Sequence, residues 1–217
     1  MLSAADIEAQ SFAIIDAEAD PGRFDPLVWP VVRRMIHAAG EIDLQDDVLI
    51  ERDAVQAGIA AVRAGAPIWT DWTMSAAGIS GARLAAVHPA YRASSPRSLS
   101  EREGLAEFAK AKGVTRSAAA VLAAARDLPR SIVVIGNAPT ALEMLLDLVR
   151  DGLAPPRFVV GNPVGFVGAA ESKERLAAEA PFPFVTIRGR RGGSPAAVAA
   201  LNAIAILAAE TDADGRG

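Results

Sequence analysis

The side chain best suited to proton transfer in this sequence is the imidazole of His37, in the segment Arg33–Gly40. Histidine changes its protonation state near neutral pH. Gly40 predicts that a helix ends just after the histidine, and the dipole at that end favours a protonated imidazole, so His37 could act as a general acid. Without further information, a histidine that only caps its helix is the simpler interpretation. His88, before Pro89, is predicted to end a strand and has no evident partner.

Three glycine-containing loops, at residues 136–140, 161–168 and 189–194, follow predicted strands. Glycine lets the backbone approach a ligand, and a helix N-terminus offers free N–H groups to carboxylates or phosphates. Each loop alone is better explained as a tight turn, but three loops beside several cations favour an anion site. Their spacings match neither the dinucleotide fingerprint nor the P-loop, which argues against nicotinamide cofactors and ATP. The candidate ligand contacts here are Asn137, Ala138, Gly165, Lys173, Arg190, Arg191, Gly192 and Ser194.

Arg116 is predicted at the start of a helix, where the dipole disfavours a cation, and this conflict hints at a functional role. Its guanidinium could hold a carboxylate with two parallel hydrogen bonds, although a solvent-facing arginine is the commoner case. Asp71 follows a predicted strand and is explained equally well as the N-cap of the next helix. Trp69 and Trp72 could floor a flat ligand, but core packing or a subunit interface is the safer interpretation.

The composition excludes several classes of function. The chain has 217 residues, a formal net charge of -4, no cysteine and two histidines. These features argue against a general nucleic-acid binder, a disulfide scaffold, a cysteine nucleophile and a multi-histidine metal site. The mean hydropathy of +0.24 comes from alanine-rich stretches too short to span a membrane. Acidic residues at positions 6, 8 and 16 differ from an export signal, so we expect a cytoplasmic protein.

Short apolar runs alternate with helical patterns from Val48 onward, which predicts βαβ units, a parallel sheet and an α/β fold. We expect one domain over residues 1–208 and a polar, disordered tail over 209–217. The segment 92–103 is predicted to be a loop. The predicted strands are 48–50, 67–70, 83–88, 131–135, 157–160 and 184–187. The predicted helices are 53–64, 104–112, 116–126 and 139–149, with two more starting at 169 and 194.

Several segments together resemble the precorrin-8X methylmutase family, which includes the cobalt-precorrin-8 methylmutases. The most specific are Asn-Ala-Pro-Thr-Ala-Leu at 137–142 and Pro-Val-Gly-Phe-Val-Gly-Ala at 163–169. The resemblance runs from about Ser11 to Ile204. Further matching segments are Ser11–Ile15, Arg34–Ala38, Ala66–Ile68, Thr115–Ala119, Glu171–Lys173, Arg188–Arg190 and Gly192–Ser194.

The resemblance implies a flavodoxin-like fold and a homodimer with active sites near the subunit interface. It also implies an isomerase of corrin-ring biosynthesis that moves a methyl group from C11 to C12 of precorrin-8X, giving hydrogenobyrinic acid. Neither a redox cofactor nor a catalytic metal is expected. In the family the matching histidine is the proposed proton donor, so His37 inherits that role, and Ser11 and Arg116 are expected to line the same site.

The sequence leaves other functions open. The substrate could carry cobalt, which would give cobyrinic acid, or the chain could be a corrinoid-binding paralogue without activity. An enzyme acting on phosphorylated metabolites is a weaker alternative. The chain departs from the family pattern at Trp72, Thr73, Val114 and Asn162, and its segment 91–112 matches poorly. These positions bear on the choice of substrate.

Overall fold

A computed structural model of the chain describes residues 2–51, 53–94 and 96–213. Its strands are β1 Val48–Ile50, β2 Ile68–Thr70, β3 Arg97–Ser98, β4 Ile132–Ile135, β5 Phe158–Gly161 and β6 Phe184–Ile187. Its α-helices are α1 Ala4–Glu18, α2 Trp29–Ala39, α3 Ala54–Arg63, α4 Thr73–Gly78, α5 Gly81–Val87, α6 Ala90–Ala93, α7 Leu105–Lys112, α8 Arg116–Ala123, α9 Pro139–Arg150, α10 Ala169–Glu179 and α11 Ser194–Ala213. Short 3₁₀ turns lie at Pro21–Arg23, Ile42–Asp46 and Leu99–Glu101.

The strands form one sheet in the order β1-β6-β5-β4-β2-β3. Strands β2 to β6 are mutually parallel, and their order is that of the flavodoxin-like fold. The predicted α/β class is therefore confirmed. The prediction of a parallel sheet needs one correction, because β1 pairs antiparallel with β6. β1 lies at the edge of the sheet, where an otherwise parallel sheet often carries an antiparallel strand.

The helices cover both faces of the sheet. The central strands are apolar on both sides, as in buried parallel sheets. Ile132 and Val134 of β4 face the layer that contains α2, α3, α5 and α11, whereas Val133 and Ile135 face the layer of α7 to α10. Alanines along α11 let that helix pack closely against α2 and α3. The carboxyl ends of five strands consequently meet at one edge, together with the start of α11 and the end of α2.

Two predicted elements in the middle of the chain are wrong. Residues 83–88 form most of α5 rather than a strand, and His88 caps that helix. The hydroxyl of Ser80 accepts a hydrogen bond from the Arg83 N–H, which is an N-cap that the apolar run concealed. The predicted loop 92–103 contains β3 and a 3₁₀ turn. A polar strand of two residues leaves no periodic signal in a sequence.

The carboxyl-terminal helix is longer than predicted. Helix α11 ends at Ala213, so it continues past the domain boundary predicted at residue 208. The rest of the predicted tail, 214–217, lies outside the described residues. Among the helices that the structure describes, none is both long and apolar enough to cross a membrane.

Candidate active site

His37 lies in the last turn of α2, which ends at Gly40 with a positive φ of 70°, as predicted. The hydroxyl of Ser11, in α1, lies 2.7 Å from Nδ1 of His37. The ring of Phe12 meets the imidazole edge-on, with the ring centroids 5.4 Å apart. Because Nδ1 is occupied by the serine, Nε2 is the nitrogen available to exchange a proton with a ligand. The structure thus brings together Ser11 and His37, two of the three residues that the family resemblance placed in one site.

Ion pairs between α1 and α2 fix the position of Ser11. Arg33 donates to Asp16 at 2.8 Å, and Arg34 donates to Glu8 at 2.8 Å. The Arg34 guanidinium lowers the pKa of the Glu8 carboxyl below its usual value. The two acids lie on either side of Ser11 along α1, so the pairs align the serine with the histidine of the neighbouring helix.

Two adjoining recesses surround the end of α2. The larger has a volume of about 400 Å³ and the smaller, which His37 borders, about 240 Å³. They meet at Ala38 and Pro195, which line both. The larger recess is lined by Ala38, Ala39, Glu41, Leu44, Val164, Gly165, Phe166, Ile187, Arg190, Arg191, Gly192, Pro195 and Ala196. The smaller is lined by Glu8, Arg34, His37, Ala38, Arg83, Pro195, Val198, Ala199 and Asn202.

Sequence reasoning assigned no site role to four polar residues of the smaller recess, Glu8, Arg34, Arg83 and Asn202. Arg83 was assigned to a strand that is in fact α5, and the Ser80 N-cap is the signal that would have placed it correctly. Asn202 donates to the carbonyl of Gly78 and accepts from the Ser80 N–H, so its side chain joins α11 to the α4–α5 connection. No sequence pattern indicates such a long-range bond.

The loop at 189–194 packs against the loop at 161–168. The N–H of Gly193 donates to the Asn162 carbonyl at 2.8 Å, and Gly192 has a φ of +144°. A Cβ at Gly192 would lie 2.5 Å from that carbonyl oxygen, so only glycine fits. The guanidinium of Arg190 lies 5.3 Å from the centre of the exposed Phe166 ring. Together these contacts form one wall of the larger recess.

The two basic residues next to this wall are already engaged by the protein. Arg191 pairs with Asp43 at 2.6 Å, Glu41 at 3.4 Å and Asp47 at 3.5 Å. The ammonium of Lys173 is buried beneath the loop and donates to the Arg191 carbonyl at 2.5 Å. Lys173 is therefore a support of the loop in this structure, and it does not line either recess.

Burial also changes the acidity of Lys173. Desolvation lowers its pKa from 10.5 to about 8, partly opposed by the charge of Asp47. Between these two values the unfolded chain holds the proton and the folded chain does not, so the free energy of unfolding rises with pH in this window. In this window we expect Lys173 to raise the free energy of unfolding by up to about 1.4 kcal/mol per pH unit, and we expect no such rise in Lys173→Met. Chemical denaturation of both proteins at several pH values measures it, and identical pH dependences would contradict it.

Asp71 shapes the loop at 136–140. Its buried carboxylate accepts hydrogen bonds from the N–H groups of Gly136, Asn137 and Ala138, at 3.1, 2.8 and 2.9 Å. Burial raises the pKa of Asp71, and the three donors oppose that shift. Asp71 is thus not the N-cap of α4, since Trp72 holds that position. The backbone donors of Asn137 and Ala138 are used by the protein itself, which leaves the exposed Asn137 side chain for a ligand.

Two other predicted contacts do not line the recesses. Arg116 begins α8 and donates to the Ser100 carbonyl at 3.3 Å, next to β3 at the opposite side of the sheet. Ser194 is buried, and its hydroxyl accepts from Ser75 at 2.9 Å. The recesses are therefore lined by His37, Gly165, Arg190, Arg191 and Gly192, and Ser11 joins them through its contact with His37. The residues outside the linings are Arg116, Asn137, Ala138, Lys173 and Ser194.

The residues that depart from the family pattern have distinct surroundings. Asn162 is fully buried, and neither polar atom of its amide has a partner among the described residues. Trp69 is not among these positions; it is half-buried, and Arg97 and Arg102 lie against its ring at 5.7 and 5.5 Å. Trp72 is 36% exposed, and Val114 packs at the edge of the core.

Comparisons with known proteins show which family this chain resembles in sequence and fold. The family described as Precorrin-8X methylmutase matches residues 6–207. A precorrin-8X methylmutase of Sinorhizobium sp is 44% identical over 201 residues, covering 92% of this chain and 92% of the relative. A cobalt-precorrin-8 methylmutase of Priestia megaterium is 41% identical, covering 93% and 87%. The crystal structure of the Thermus thermophilus precorrin-8x methyl mutase superposes with a TM-score of 0.85 at 41% identity, covering 95% of this chain and 97% of that one.

These matches extend over almost the whole chain, in sequence and in the arrangement of strands and helices. They are far above the similarity that a shared fold alone produces. This chain belongs to the precorrin-8X methylmutase family.

Proposed function

We propose that this protein is an isomerase that moves a methyl group from C11 to C12 of precorrin-8X and releases hydrogenobyrinic acid. The observation that carries the proposal is the Ser11–His37 pair at 2.7 Å, beside recesses that combine apolar walls with arginines. Relatives that share the fold carry the name of this activity. The substrate is large, flat, apolar across its faces and ringed with carboxylates, and such a ligand requires this combination of surfaces.

The reaction requires the protein to position the substrate and to supply one proton. A 1,5-sigmatropic shift is intramolecular, so it needs neither a nucleophile nor an electron acceptor. His37, held through Nδ1 by Ser11, protonates the macrocycle from Nε2 and so selects the reactive tautomer. After the shift the imidazole takes a proton back, because the substrate and the product are isomers. The rigid walls hold the migrating methyl group over its target carbon, which lowers the entropic part of the barrier.

Arg190 is the residue that we propose for a carboxylate of the substrate. Its guanidinium lies over Phe166, lines the larger recess and has no acidic partner among the residues that the structure describes. An arginine in this state can form a charge-assisted bond with a carboxylate without breaking an existing ion pair. The Phe166 ring beside it offers an apolar face to the macrocycle.

The test is a visible absorption titration of the purified protein with hydrogenobyrinic acid. We expect a saturable spectral change at one ligand per subunit, and an affinity about 10- to 100-fold lower in Arg190→Gln, the equivalent of one lost charge-assisted hydrogen bond. Arg126→Gln removes the same charge from an exposed position outside both recesses and serves as the control. No spectral change in the parent protein, or equal losses in the two variants, would contradict the proposal.

A second candidate function is the same isomerisation on a ring that carries cobalt, giving cobyrinic acid. The relative of Priestia megaterium, named cobalt-precorrin-8 methylmutase, favours it, at an identity close to that of the Sinorhizobium relative. Parallel turnover assays with metal-free and cobalt-containing substrates decide between the two. Binding of the product without turnover of either substrate would instead indicate a corrinoid-binding protein.

We also propose that the protein is a homodimer in solution. The loop at 163–168 presents Phe166 and Val167, which are 83% and 89% exposed, next to the larger recess. Apolar side chains this exposed usually mark a contact surface, and a second copy placed there would close the recess. We expect Val167→Asp to sediment as a monomer and Val167→Thr, of the same shape, to remain a dimer. A parent protein that sediments as a monomer would rule the dimer out.

A further inference from the structure

Arg190 and Arg191 are adjacent in sequence and both line the larger recess, but their surroundings differ. Each nitrogen of the Arg191 guanidinium faces a different carboxylate: Nε faces Glu41, Nη2 faces Asp43 and Nη1 faces Asp47. Hence the fork that would grip a substrate carboxylate is already occupied.

The charge around Arg191 also disfavours an anionic ligand. Three acids surround one guanidinium, so the cluster carries a net negative charge even with Arg191 included. The pKa of the Asp43 carboxyl is held below its usual value by Arg191, which keeps that acid ionised. A substrate carboxylate that approached Arg191 would meet these acids as well.

The contacts of Arg191 join two parts of the candidate site. The acids at 41–47 directly follow α2, the helix whose last turn contains His37. The backbone of Arg191 belongs to the loop that presents Arg190, and the buried Lys173 holds its carbonyl from below at 2.5 Å. In addition, the N–H of Arg188 donates to the Asp47 carbonyl at 2.7 Å, which ties the start of the loop to the same segment.

We infer that Arg191 is a positioning residue: it fixes the loop bearing Arg190 to the segment after the His37 helix, and it does not bind the substrate itself. This assignment rests on the proposed function. It gives the two neighbouring arginines different roles: Arg190 contacts the ligand, and Arg191 holds Arg190 in position. Without the cluster, Arg190 and His37 are no longer held at a fixed separation, and small misplacements of groups that act together reduce both binding and turnover.

The test compares two acids of the same segment. Asp43 contacts Arg191, whereas Asp46 pairs with Arg23, so Asp43→Asn and Asp46→Asn remove the same charge but only the first disturbs the cluster. We expect Asp43→Asn to bind hydrogenobyrinic acid roughly threefold more weakly than Asp46→Asn, the size of one exposed ion pair. If Arg191 were a ligand of the substrate, removing its acidic partner would free it, and Asp43→Asn would bind more tightly.

Turnover measured together with Tm distinguishes a loss of positioning from a loss of stability. We expect Arg191→Gln to lower both the affinity and kcat about 10-fold at an unchanged Tm. The combined Arg191→Gln/Asp43→Asn protein should lose no more affinity or kcat than Arg191→Gln alone, because both changes break the same contact. Asp43→Asn that binds as well as the Asp46→Asn control, or additive losses in the combined variant, would overturn the inference. A parent protein that binds no corrinoid would overturn the proposed function, and with it this assignment.

Discussion

We expect His37→Asn to bind hydrogenobyrinic acid as tightly as the parent protein and to convert precorrin-8X about 10²- to 10⁴-fold more slowly. Asparagine can keep the hydrogen bond to Ser11 that now involves Nδ1, but it cannot deliver a proton. The residue is exposed at the end of α2, so the fold should tolerate the change. Single-turnover absorption assays at saturating substrate measure the loss.

His88→Asn is the matched control for this experiment. It removes the second histidine, which caps α5 away from both recesses and accepts a hydrogen bond from the Ala90 N–H. Conversion by His88→Asn should stay at the parent rate. If His37→Asn also kept that rate, or if it failed to bind the product, the proposed role of His37 as proton donor would be wrong.

Asp71→Ala should lower the free energy of unfolding by about 3 kcal/mol or more, because it leaves three backbone N–H groups without an acceptor in a buried place. Denaturant titration followed by circular dichroism measures the change. Asp53→Ala, at the exposed N-cap position of α3 but without a side-chain cap bond, should change the stability by less than about 1 kcal/mol. A loss at Asp71 as small as that of the control would mean that the carboxylate does not organise the loop.

Asp71→Asn removes the charge of the side chain but keeps its shape, so it tests the role of the charge alone. This variant remains informative if the alanine variant does not fold. An amide oxygen still accepts, but the amide nitrogen must face one of the three N–H donors. We expect an intermediate loss of stability, with product binding weakened only as far as the Asn137 side chain contributes to it.

Much of the fold could be predicted because the strong signals are local. The β-branched runs of β4, β5 and β6 are each followed by a glycine-containing loop and a helix, and this repeated order predicts a parallel sheet with loops at one edge. Gly40 was predicted to end a helix because a left-handed terminal residue favours glycine, and its φ of 70° confirms this. His37 was placed at that helix end for the same reason.

The features that were missed depend on partners that are distant along the chain. In the sequence, the fully buried Lys173 cannot be distinguished from an exposed lysine near the start of a helix, because the loop that covers it, 189–194, follows only after the next strand. Likewise, the three acids that occupy Arg191 precede it by more than a hundred residues, so sequence reasoning grouped it with Arg190 as a ligand contact. The direction of β1 depends on its pairing with β6, which the three residues of β1 do not encode.

The two edges of the sheet limit how this protein can aggregate. The strands there, β1 and β3, have only three and two residues, and β3 begins with the exposed Arg97. A foreign strand needs a long, uncharged edge on which to form a continuous ladder of hydrogen bonds. Neither edge of this sheet has a long, uncharged strand, so the addition of further strands to form fibrils is disfavoured even in concentrated solution.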